Sequence, residues 1–133
     1  MRTLSQFVGW LLFATVLLAA DPPYAGRWQS VKGASEPMTL DVAVVDGYDR
    51  VISQGAGTLK ANFDGRDYHA EFGPEIIRIA RVGTNGFSMT VSFEGKPMAF
   101  DTFTVSADGQ TLTQVGGPFG KPPTHTIVYE RRP

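Results

Sequence analysis

Cysteine is absent from all 133 residues. That excludes the disulfide framework on which small exported domains often depend, together with thiolate metal sites and thiol catalysis. It also excludes lipid attachment through a cysteine behind a leader. An apolar core must therefore carry the stability. Excess charge of one sign is lacking too, with 12 Lys and Arg against 13 Asp and Glu. No basic cluster offers a footprint for nucleic acid, and no basic amphipathic helix is available to hold a membrane surface. The longest apolar run, Phe7 to Ala20, has fourteen residues, whereas a spanning helix needs about twenty.

That run has another reading. A polar start with one positive charge, a short apolar core and small residues before Asp21-Pro22-Pro23 describe a secretory signal over residues 1–20. Cleavage is expected after Ala20, and an uncleaved interfacial anchor is the alternative. Residues 21–133 then form one small domain of net charge −2, from eleven basic and thirteen acidic residues. A soluble monomer, periplasmic or secreted and without a stable membrane anchor, is expected.

Sustained helical periodicity is missing as well; what recurs is alternation with period two. Phe87, Met89, Val91 and Phe93 interleave with Ser88, Thr90, Ser92 and Glu94, a strand with one dry and one wet face. Met38, Leu40, Val42 and Val44 alternate in the same way. Asp46-Gly47, Asp64-Gly65, Asn85-Gly86, Glu94-Gly95 and Asp108-Gly109 supply the positive φ angles of tight hairpins. The pattern predicts strands near 26–32, 37–45, 49–61, 67–72, 75–82, 87–94, 97–106, 110–115 and 124–131. Gly55-Ala56-Gly57 reads as a bulge or sharp bend within the third. Met98 and Phe100 are even while Phe103 and Val105 are odd, so a bulge near Asp101 is expected to switch faces. Hairpin connectivity with this many strands favours an all-β, antiparallel up-and-down barrel of about eight or nine strands over a sandwich.

Gly26-Arg27-Trp28 on the opening strand and Tyr129-Glu130-Arg131-Arg132 on the closing one resemble the lipocalins and their calycin relatives. Ala25-Gly26-Arg27-Trp28, Phe63 to Tyr68, Val105 to Thr113 and Ile127 to Arg131 are similar to segments of a group of small exported bacterial lipocalin-like proteins. The resemblance implies a lipocalin-like barrel with an arginine, Arg131 or Arg132, packed over Trp28 to plug one end.

Several residues bear on function. Met38, Tyr68, Phe72, Phe87, Met89, Phe93, Met98 and Phe100 are the expected interior lining, either contacting a small ligand or filling the core themselves. His125 shares a face with Ile127 and Tyr129, as an inward ligand contact or a hydrogen-bonded structural histidine. Asp67, His69 and Glu71 alternate, as a solvated face or as an acid–base cluster. Arg78 and Arg81 fall on opposite faces of one strand, and Phe119 sits in the glycine-rich stretch 116–123 as a lid, a partner-binding tip or an incidental aromatic. No serine occupies a Gly-x-Ser-x-Gly elbow, and no metal or cofactor is expected. The function expected is non-enzymatic carriage of a small apolar or amphipathic molecule. Alternatives are capture of a protein partner through the Phe119 loop, and a hydrolase or isomerase using Asp67, His69 and Glu71.

Overall fold

The computed structural model describes residues 21–45, 48–53, 57–70 and 73–133. The expected signal over 1–20 therefore lies outside the described residues, as do the Asp46-Gly47 turn, Glu71 and Phe72. Ten strands follow one another: β1 (Gly26–Lys32), β2 (Thr39–Val45), β3 (Tyr48–Ser53), β4 (Gly57–Leu59), β5 (Asp64–His69), β6 (Ile76–Val82), β7 (Gly86–Phe93), β8 (Lys96–Val105), β9 (Thr111–Pro118) and β10 (His125–Arg132). They form one antiparallel sheet in the order β4-β3-β2-β1-β10-β9-β8-β7-β6-β5. Every sequential pair except β4 and β5 is adjacent, and the first strand pairs with the last. This is an all-β up-and-down meander, curled into a half-barrel whose two edges are β4 and β5. The arrangement is compatible with a calycin-like fold.

The strand directions give the half-barrel two ends. At one end Tyr24, just ahead of β1, stacks on Phe63 at 5.5 Å and meets Phe87 of β7 edge-on at 5.1 Å. Phe87 in turn stacks on Phe103 of β8 at 4.5 Å. Phe63 lies in the segment that carries the chain from edge strand β4 to edge strand β5, so these rings bridge elements far apart in the sheet. Trp28, Ile79, Phe87 and Leu112 are fully enclosed beside them. Burying side chains of this size contributes about 1.5–3 kcal/mol each, so this end is where the missing disulfides are offset.

Four sequence expectations are corrected. The strand expected over 49–61 is two strands, β3 and β4, that pair antiparallel with Ser53 opposite Gly57; residues 55 and 56 of the expected bulge or bend lie outside the described residues. Asp64-Gly65 is a bulge inside β5, not a turn: Gly65 has φ +76°, and the Arg66 N–H donates to Asp64 Oδ1 at 3.0 Å. β8 carries its irregularity at Met98 instead of Asp101, because Val91 faces Ala99 and Ser92 faces Pro97. From Ala99 to Val105 the pairing with β9 is unbroken, so Asp101, Phe103 and Val105 share the inner face. Finally, β9 runs on through Gly116-Gly117-Pro118, which shortens the expected loop. Two turns do form at the paired residues anticipated: Glu94-Gly95 with φ 49° and 78°, and Asp108-Gly109, where Gly109 has φ 75°.

Candidate functional site

The closed end is sealed by a single arginine. The Arg131 guanidinium lies 4.2 Å above the Trp28 ring. Its Nε donates to the Gly109 carbonyl at 2.8 Å, its Nη1 to Ala25 O at 2.7 Å and its Nη2 to Pro23 O at 2.7 Å. Gly26 makes the room, since a Cβ there would stand 2.5 Å from Nη1. The indole Nε1–H donates to Tyr24 O at 3.0 Å. Arg132 points elsewhere, to Gln29 and Glu130.

The inner face changes character toward the other end. Asp101 on β8, Gly116 on β9 and His125 on β10 are successive cross-strand neighbours. Because Gly116 has no side chain, the Asp101 carboxylate lies directly over it; a Cβ would stand 2.2 Å from Asp101 Cγ. The carboxylate thereby reaches across an entire strand to His125, with Oδ2 2.8 Å from Nε2. Gln114 Nε2 donates to the same Oδ2 at 2.6 Å, and the Tyr129 hydroxyl donates to Gln114 Oε1 at 2.6 Å. The result is one chain of hydrogen bonds, Tyr129 to Gln114 to Asp101, with His125 joining at the same Asp101 oxygen. Such networks are strengthened by their low-dielectric surroundings.

Directionality follows from the donor inventory. An ionised carboxylate only accepts, so His125 must present Nε2–H to Asp101, and in the neutral ring Nδ1 is then an acceptor. Asp101 Oδ1 has no partner among the described residues. With the ring neutral, Oδ1 and Nδ1 are thus two unspent acceptors, on an Asp101 side chain 14% exposed and a His125 side chain 39% exposed. Deeper in the network, burial pushes the Tyr129 hydroxyl up to about 12, and the Asp101 charge adds to the shift. Tyr129 remains a phenol donor throughout the physiological range. Its folded value exceeds the unfolded one of about 10, so the stability it contributes is present below pH 10 and is lost as pH rises toward 12. Phenolate absorbance should show one tyrosine titrating near pH 12, and Tyr129→Phe should flatten the alkaline loss of stability. A tyrosine-independent alkaline profile would contradict this reading.

The other residues of the expected lining divide. Phe87 is wholly buried in the closed end. Met38, Tyr68 and Met89 are half-buried and pack against the core, as do Ala70 and Val91. Met89 sits directly opposite Asp101. Phe93, Met98 and Phe100 are exposed, Met98 to 56%, and none of them belongs to the buried core. Unbroken alternation with inward Asp101 and Phe103 puts Phe100 on the outer face, opposite Thr90, where it meets Phe119 perpendicularly at 6.4 Å. Phe72 lies outside the described residues. Asp67 receives Arg78 Nε at 2.9 Å and makes no bond to the exposed His69 among the described residues, so these two form no acid–base pair.

Sequence reasoning missed Asp101, Gln114 and Gly116. Asp101 was obscured by the supposed face switch, and Gly116 by the habit of reading paired glycines as loop. The available signal was the odd-numbered alternation Asp101, Phe103, Val105. No protein-family model matches the chain, and no curated protein matches it.

Proposed function

We propose that the protein is a lipocalin-like, non-enzymatic binding protein for a small amphipathic molecule whose head group donates hydrogen bonds, an amine above all. The observation that carries this reading is the Asp101–His125 pair laid over Gly116, with Asp101 Oδ1 and His125 Nδ1 without partners among the described residues. A carboxylate with two firm donors on one oxygen is oriented before any ligand arrives, which lowers the cost of binding. Met38, Tyr68, Met89 and Val91 offer the apolar surface for the remainder of the molecule, and methionine adapts readily to irregular partners. The closed end with its Trp28–Arg131 plug supports the lipocalin-like assignment.

Three probes with one tail separate head-group recognition from greasy adhesion: dodecylamine, dodecanol and dodecanoate. The amine should bind tightest, and Asp101→Asn should weaken it about tenfold, equivalent to about 1.4 kcal/mol, while changing dodecanol little. Equal binding of all three probes, or an amine affinity indifferent to Asp101→Asn, would remove the head-group assignment.

A further inference from the structure

On the outer face of the same sheet lies a groove of about 230 Å³, lined by Asp67, Ile76, Arg78, Thr90, Ser92, Gly95, Pro97 and Phe119. It has no part in the inner-face site and is independent of the function proposed above. Its floor is built from outward positions of β5, β6 and β7, with Asp67 opposite Arg78 and Arg78 opposite Thr90. Phe119 forms one wall from the β9–β10 connection. That connection is pinned: the Phe119 N–H donates to Met98 O at 3.0 Å and the Lys121 N–H to Pro118 O at 3.2 Å. The ring rests perpendicular to Phe100 and is still 47% exposed.

The chemistry of the walls narrows the occupant. Arg78 Nε and Nη2 both reach Asp67 Oδ1 at 2.9 Å. Asp67 Oδ2, Arg78 Nη1 and the hydroxyls of Thr90 and Ser92 have no partner among the described residues. The groove thus offers an acceptor, a donor and two groups that do both, against one exposed aromatic wall. Asp67 and Arg78 cancel in charge, so a strongly ionic ligand gains little. A wholly apolar ligand would strip water from the ion pair and both hydroxyls without replacing it. Drug-sized sites run to about 300–1,000 Å³, so this groove suits a single ring.

We infer that this groove binds a saccharide, one pyranose ring at a time. A pyranose carries a C–H face that can lie on Phe119 and a rim of hydroxyls that both donate and accept, matching Asp67, Arg78, Thr90 and Ser92. Affinity for one ring should be about millimolar, as for other shallow sites with few contacts.

Amide NMR titration tests this with the methyl glycosides of glucose, galactose, mannose and N-acetylglucosamine, each taken to tens of millimolar. At least one should give saturable shifts grouped at Asp67, Arg78, Thr90, Ser92 and Phe119. Phe119→Ala and Arg78→Ala should each weaken it about tenfold, and Phe119→Trp should retain it. Phe119 and Arg78 are exposed, so an unchanged melting temperature will verify that both alanine variants are folded. The inference is overturned if no glycoside gives saturable shifts, if binding survives Phe119→Ala unchanged, or if the shifts gather at Asp101 and His125 instead.

Discussion

Trp28→Ala should destabilise the protein by about 3–5 kcal/mol, the range for deleting a large enclosed aromatic. Trp28 is fully buried, so the substitution leaves a cavity at the centre of the closed end. It also removes the surface beneath Arg131, a cation–π contact worth about 0.5–2 kcal/mol, and leaves the Tyr24 carbonyl without its indole donor. Domains of this size hold about 5–15 kcal/mol in all, so the variant should lie close to unfolding at ambient temperature. Urea denaturation of the wild type and the variant measures the difference. Trp28→Phe, which keeps an aromatic ring for Arg131, should lose clearly less. A loss below about 1 kcal/mol for the alanine variant would mean that the Trp28–Arg131 plug is not what closes this end.

Gly116→Ala is the second large effect, and its cause is space, not backbone freedom. The added methyl would stand 2.2 Å from Asp101 Cγ and 2.4 Å from each carboxylate oxygen. Asp101 has a short side chain, held by Gln114 and His125, so it must swing off both to make room. Leaving the donors of Gln114 and His125 unmet costs about 1–3 kcal/mol, and the carboxylate of the proposed head-group site is displaced. Gly120→Ala separates the two kinds of glycine: it meets nothing within 4 Å, and its φ of +75° is the only obstacle. That variant should lose about 1–2 kcal/mol and leave dodecylamine binding intact. The decisive comparison is a double-mutant cycle. If the methyl acts through Asp101, then Asp101→Ala should relieve Gly116→Ala, and the double variant should be more stable than the summed single losses imply. Strict additivity would mean that the methyl acts elsewhere.

Where one rule decided the structure, the fold was legible in the sequence. Phe87 to Phe93 alternates cleanly and forms β7, and Glu94-Gly95 and Asp108-Gly109 turn where positive φ is cheapest. The errors fall where a residue type has two uses. Glycine marks both turns and close approaches, and at Gly116 and Gly117 the approach of Asp101 and Thr124 dictates it inside a strand. Asp-Gly marks both hairpins and bulges, and at Asp64-Gly65 it makes a bulge. Phe and Met are core residues by type, yet Phe93, Met98 and Phe100 are exposed: Phe93 closes β7 beside the Glu94-Gly95 turn, Met98 is the unpaired residue of β8, and Phe100 alternates with inward Asp101 and Phe103. The candidate site was the least visible part. His125 was identifiable by type, but its partner lies 24 residues away in sequence, and only the register of three strands brings the two together.

The central claim is that the open end of the half-barrel holds a small molecule by its head at Asp101 and His125. Native mass spectrometry of the protein as isolated from its source, beside a denatured aliquot and the Asp101→Asn variant, tests it most directly. The expected result is a non-covalent adduct of a few hundred daltons that disappears on denaturation, is depleted in the variant and is restored to the wild type by added dodecylamine. A protein that comes away bare and takes up neither dodecylamine, dodecanol nor dodecanoate would contradict it, and would make the Asp101–His125 pair a structural brace of the sheet.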